Sequence, residues 1–140
     1  MTTATPLAPA PSKALHIALW VVQILLTVAF LASGFSKIVT PAAQLTNMMA
    51  WTIAVPLGLV RFIGVMEVLG ALGLILPSVT RIRPALTPLA ASGLVIVMVL
   101  AVIFHLTRGE IGNAVPALVL GLLAAFVAWG RRRAPIAARA

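Results

Sequence analysis

The 140-residue chain has no cysteine. That removes disulfides, thiol redox chemistry, iron–sulfur clusters and thiolate metal sites from consideration. Charge is scarce as well: 9% of the residues are Asp, Glu, Lys or Arg, against roughly 25% in soluble domains. Acids are scarcest, with only Glu67 and Glu110 present. No nucleophilic triad or phosphate-cradling loop is visible; the GxxG at 70–73 lies inside an apolar run, where it serves helix packing. There is no internal repeat of the kind on which many transporter folds are built.

What is present is hydrophobic, 62% of the chain, which points to a single polytopic membrane domain. Four apolar runs, at about 14–36, 56–76, 85–107 and 113–130, each approach the roughly 20 residues a spanning helix needs. Residues 1–13 read as a disordered tail and 131–140 as a basic tail. The first run exceeds the roughly 7–15 apolar residues of a signal peptide, so it reads as a retained span. Thr40-Pro41 looks like a helix start, with Thr40 as N-cap. A short interfacial helix then carries Trp51 at headgroup depth. The second span is expected to stop at Pro77-Ser78. The expected fold is all-α: a four-helix transmembrane bundle with a short interfacial helix between the first and second spans.

Four spans put both termini on one side. That side collects Lys13, Arg81, Arg83, Arg131, Arg132, Arg133 and Arg139, whereas Lys37, Arg61 and Arg108 belong to the other. The asymmetry predicts a multi-pass protein of the cytoplasmic (inner) membrane with both termini cytoplasmic. The net charge of +8 therefore flanks spans, and no nucleic-acid partner is expected. His16 and His105 fall in opposite leaflets, so they cannot serve as an axial pair for one haem.

The stretch at 61–76, RFIGVMEVLGALGLIL, carries charge where a span should have none. At about 100° per residue, Phe62, Val65, Leu69, Leu72 and Leu76 share one side. Gly64, Glu67, Gly70 and Ala71 share the other. A lipid-facing Glu67 would cost roughly 2.5–3.5 kcal/mol on insertion scales, so it should face other helices. Gln23, Thr27, Phe30, Gly34 and Lys37 form the inner stripe of the first span. Leu94, Met98, Ala101, His105 and Arg108 share a face of the third. In the fourth, Asn113 can cap the helix, and Ala117, Gly121 and Ala125 make a small-residue seam.

Topology gathers Lys37, Arg61, His105 and Asn113 at the outer side, with Glu67 about 9 Å deeper than Arg61. These five residues are the candidate polar cluster or ligand site. Arg61 lies about 120° around the same helix from Glu67, so a donor from another helix is the expected partner. Glu67 is then either a structural ion pair or a proton-active or ligand-orienting group. For Arg61, snorkelling to the headgroups competes with a partner or ligand role. His105 is either a satisfied core histidine or a ligand.

LASGFSKI at 31–38, PLGLVRFIGVMEVLGALGLILP at 56–77, LTPLAASGL at 86–94 and FHLTRGE at 104–110 resemble the DoxX family, in particular its DoxX-like branch, over most of 20–131. The resemblance implies a four-helix membrane protein. The family takes its name from a small membrane subunit associated with thiosulfate:quinone oxidoreductase, and other members are linked to redox-stress partners. Ser36-Lys37, Arg61, Glu67 and His105 match its recurrent polar positions, with no settled catalytic role to transfer. The leading expectation is a non-catalytic membrane subunit or accessory protein of a quinone-linked redox system, embedded in the bilayer beside a redox-enzyme partner or a second copy of itself. No covalently bound cofactor or metal is expected, and quinone is the candidate ligand. The alternatives are a small-solute or proton-coupled transporter using Glu67, and a purely structural membrane protein.

Overall fold

Ser12 opens the first helix, its Oγ accepting from the Leu15 amide at 3.1 Å and so satisfying one of the free first-turn donors. The computed structural model describes residue 5 and residues 7–140. Of the tail expected at 1–13, residues 1–4 and 6 lie outside the described residues, and Lys13 is already helical. The elements that follow are α1 (Lys13–Val39), α2 (Ala42–Met48), a 3₁₀ turn (Ala50–Ala54), α3 (Leu57–Thr80), α4 (Leu86–Thr107) and α5 (Ile111–Arg133). Four of the helices are long and apolar enough to cross a membrane. They run up, down, up and down in a ring: α3 lies between α1 and α4, and α5 between α4 and α1.

The bundle sorts its residues for a bilayer. Large aliphatic and aromatic side chains cover the outside, and Phe62, Val65, Leu69, Leu72 and Leu76 are all exposed. Gln23, Thr27, Lys37, Glu67, Ser78, Thr87, His105 and Arg131 are buried instead. Hydrocarbon cannot satisfy a polar group, so such groups face one another inside. The stripe predicted for α1 is buried throughout, from Gln23 to Lys37. A layer of Leu26, Phe30, Ala71, Leu74 and Leu94 fills the middle of the bundle. On α5 the seam residue Ala117 is buried, and Gly121 faces Met98 closely enough that an added Cβ would lie 3.1 Å from the Met98 Cβ.

Three local expectations are corrected. Thr40 does not cap α2; it is the C-cap of α1, and Pro41 takes the cap position of α2. The connection breaks into a short helix and a 3₁₀ turn because Met49 leaves helical geometry, at φ −136° and ψ 81°. α3 does not stop at Pro77 but continues through it to Thr80. Proline there removes an amide donor. A side chain from α1 bonds the same turn: Gln23 Nε2 donates to the Leu74 carbonyl at 2.8 Å and to Ser78 Oγ at 3.0 Å. Ser78 and Thr87 share a further hydrogen bond at 2.8 Å that ties α3 to α4.

The basic tail expected from residue 131 also behaves differently. α5 holds Arg131–Arg133 in its last turn, and the chain then folds back over the α3–α4 turn. Arg139 N donates to the Arg81 carbonyl at 2.8 Å, and Arg81 Nε donates to the Ala137 carbonyl at 2.9 Å. Arg81 adopts φ 60° and Arg83 φ 48°, a left-handed geometry that costs a non-glycine residue roughly 1–2 kcal/mol. At the opposite end the α4–α5 turn uses Gly109 at φ 71°, where glycine bears no such cost.

Candidate functional site

Small residues bring α1 and α3 together at the end of the bundle away from the termini. A Cβ on Gly34 would lie 2.6 Å from the Gly64 carbonyl oxygen, and one on Gly64 would lie 2.7 Å from the Gly34 oxygen. Backbone meets backbone there, so the side chains one turn away are forced to face each other. Lys37 Nζ donates to Glu67 Oε2 at 2.8 Å, with the two side chains 6% and 4% exposed. Ser33 Oγ donates to the same oxygen at 3.0 Å, and Lys37 also reaches Ser33. Both donors meet Oε2, which leaves Oε1 without a donor among the described residues.

Arg61 is not a partner of Glu67. It turns to the C-terminus of α1, where its two Nη atoms donate to the carbonyls of Lys37 and Thr40, the latter at 2.8 Å. Those carbonyls have no acceptor role left inside the helix, and a cation there complements the negative end of the dipole. Arg61 therefore fixes the end of α1 and, through it, the place of Lys37.

A second charged group sits across the bundle. His105 Nδ1 lies 2.7 Å from Glu110 Oε2, and Arg108 Nε lies 2.8 Å from Glu110 Oε1. Hydrogen bonds from His105 and then Arg108 hold the Glu110 carboxyl below its ordinary value. An ionised carboxylate only accepts, so Nδ1 carries the proton, and in the neutral ring Nε2 is an acceptor. Trp51 stands edge-on to Phe104 and His105, at ring distances of 6.0 and 6.2 Å. The Arg108 guanidinium lies over the Phe104 ring at 5.3 Å.

Between these two groups, against α3 and α4, lies a cavity of about 320 Å³. Phe62, Met66, Met98, Phe104 and Trp51 are among its wall residues, and Glu67 and His105 are its ionisable lining residues. Of the five predicted residues, Lys37 and Glu67 pair directly, and His105 joins Glu67 around the cavity. Arg61 supports from behind. Asn113 is excluded: it is exposed in the first turn of α5. Nor does it cap that helix, because α5 begins at Ile111 with Glu110 in the cap position.

A family model described as DoxX-like family matches residues 21–127. The chain belongs to the DoxX-like family. It is an integral membrane protein of that family, with four membrane-spanning helices. No curated protein and no solved structure matches it. The match takes in Lys37, Arg61, Glu67, His105 and Glu110 and ends before Arg131.

Several residues of this DoxX-like chain escaped the sequence reading. Ser33 lies four residues before Lys37, the spacing that puts two side chains on one helical face. Arg131 was grouped with its neighbours as a flanking charge, yet it is 2% exposed. It continues the buried stripe of Ala124, Val127 and Ala128 at spacings of three and four, and that signal was legible. Its Nε donates to Gln23 Oε1, its Nη1 lies 3.2 Å from His16 Nδ1, and its guanidinium covers the Trp20 ring at 5.3 Å. Its Nη2 is buried with no hydrogen-bond partner among the described residues.

Proposed function

We propose that this protein is a non-catalytic membrane subunit of a quinone-linked redox system, and that the cavity between α3 and α4 receives the quinone or quinol headgroup. The observation that carries the reading is the cavity itself: an apolar, partly aromatic chamber whose ionisable lining residues are Glu67 and His105. Its volume falls at the low end of the roughly 300–1,000 Å³ typical of small-molecule sites. A flat apolar ring with polar oxygens at its edge suits such a lining. Glu67 Oε1 and the Nε2 of a neutral His105 are both acceptors, so the reduced, hydroxyl-bearing form is the better matched one. Lys37 and Ser33 orient the Glu67 carboxyl, and Glu110 orients His105 in the same way.

The reading includes a topology. With Lys13, Arg81, Arg83, Arg131, Arg132, Arg133 and Arg139 at the terminal end, both termini lie in the cytoplasm and the cavity opens in the outer leaflet of the cytoplasmic membrane. The apolar layer through Phe30, Leu74 and Leu94 argues against a proton path between the two ends, and so against the transporter reading.

The test uses Trp51, which lines the cavity. In a Trp20→Phe/Trp129→Phe background, a short-chain quinone analogue titrated into the purified protein is expected to quench fluorescence saturably. Ala101→Phe fills the cavity and is expected to abolish saturation. Quenching that stays linear, or is unchanged in Ala101→Phe, refutes the reading.

A further inference from the structure

Both side-chain carboxylates of the chain, Glu67 and Glu110, belong to one end of the bundle and are already engaged. The terminal end holds seven lysines and arginines and no acidic side chain. Bulk salt screens charges in water, but a guanidinium inside a membrane groove is screened far less. No side chain of that end supplies a counter-charge.

One of its cations is held ready for such a partner. Arg132, at the end of α5, could extend toward water, as long basic side chains at span ends usually do. It folds back over the bundle instead. Its Nη1 donates to the Ala128 carbonyl at 3.0 Å and its Nη2 donates to Ser92 Oγ on α4 at 3.0 Å. A guanidinium has five N–H donors, so most remain free while the group is fixed in place. Beside it the Arg133 guanidinium stands over the Trp129 ring at 5.6 Å. The two arginines cap a groove of about 600 Å³ between α4 and α5, whose apolar wall is Val95, Ile96, Ala125 and Ala128.

We infer that this groove is a binding site for an anionic phospholipid, with the headgroup phosphate on Arg132 and Arg133 and an acyl chain along the α4–α5 wall. Charge complementarity selects the headgroup, because a zwitterionic lipid brings no net charge to an end whose charged side chains are all basic. The wall selects a lipid over a free anion, since it has no polar use for one. Trp129 belongs at the boundary between the two parts, as an amphipathic ring does in a membrane interface. Arg132 and Arg133 lie beyond the residues that match the family, whereas Val95, Ile96 and Ala125 lie within them.

Native mass spectrometry of the full chain in detergent, with dioleoyl-phosphatidylglycerol or dioleoyl-phosphatidylcholine added, tests this directly. Each basic residue near an anionic surface contributes about 1 kcal/mol, so retention of phosphatidylglycerol is expected to exceed that of phosphatidylcholine by roughly tenfold or more. Arg132→Gln should remove about fivefold of that preference, and Arg108→Gln at the other end should leave it intact. Ala125→Phe, which blocks the acyl wall without altering charge, should reduce retention of both lipids. Equal retention of the two lipids by the native chain overturns the inference. So does an equal loss in Arg108→Gln, or displacement of the lipid by inorganic phosphate with Ala125→Phe having no effect.

Discussion

The two ends of the bundle bury a cation in different ways. Away from the termini, Lys37 meets Glu67 at 2.8 Å and the charge is cancelled inside the protein. At the terminal end Arg131 is equally buried, but its partners are the neutral Gln23, the His16 ring and the face of Trp20. A lysine is a compact point charge that needs an opposite charge when dehydrated. A guanidinium spreads its charge over a plane that can stack and donate in several directions. Glu67 of the balanced pair lines the cavity between α3 and α4, whereas the other end has no acidic side chain. The apolar layer through Leu26, Phe30, Ala71 and Leu74 keeps the two regimes apart.

Removing one member of the pair should break this contrast most severely. Glu67→Gln leaves Lys37 buried without its counter-ion and is expected to cost roughly 3–5 kcal/mol, read as a large fall in thermal stability in detergent. Replacing both, as Lys37→Met/Glu67→Leu, should recover most of that loss, because two compatible apolar groups leave nothing unpaired. A double variant as unstable as the single one would show that the pair is not what holds the helices.

Gly34→Ala comes next. Its Cβ would sit 2.6 Å from a backbone oxygen that cannot move aside, so an overpacking cost of about 1–3 kcal/mol is expected. Gly58→Ala, where an added Cβ meets nothing within 4 Å, should leave melting unchanged or slightly raised. If both behave alike, the α1–α3 approach is looser than described.

Arg131→Met sharpens the comparison from the other side. It loses hydrogen bonds of a charged group, each worth about 1.5–3 kcal/mol, but also removes a charge with one unpartnered buried nitrogen. The net change in melting should be small, well under that of Glu67→Gln. An effect of equal size would mean that Arg131 has a counter-charge after all.

The smallest effect concerns pH. The Glu110 carboxyl is held below its ordinary value of 4.5 by His105 and Arg108. A group with a depressed pKa adds stability above its unfolded value and loses that contribution as pH falls through the folded one. Melting should therefore be insensitive to Glu110 from neutral pH down to about 4.5 and decline below it. A Glu110→Gln variant should show a shallower decline, and an identical acid limb in both would remove Glu110 from the account.

Much of this architecture was legible in the chain. Apolar length fixed the number of spans, and the 100° periodicity assigned the inner faces of α1 and α3 correctly, because hydrocarbon penalises every misplaced polar group. The exclusion of a direct Arg61–Glu67 pair followed from the angle between them on one helix. What escaped depends on contacts between segments. Gln23 bonds the turn around Pro77 from another helix, and α3 runs through that proline to Thr80. Asn113 looked like a cap because Asn often is one, but α5 begins two residues earlier. Arg131 is the exception: its spacing from Ala124, Val127 and Ala128 marks it as the inward-facing member of three consecutive arginines.

The central claim is that the balanced end receives a redox-active ring and the unbalanced end an anionic lipid. Fluorescence quenching of two single-tryptophan variants, one retaining Trp51 and the other Trp129, addresses both halves in one experiment. Each is exposed in turn to a short-chain quinone analogue and to brominated phosphatidylglycerol, with brominated phosphatidylcholine as reference. The predicted result is a crossed pattern: saturable quinone quenching at Trp51 alone, and preferential quenching by the brominated anionic lipid at Trp129 alone. Equal response of both tryptophans to both probes would contradict it.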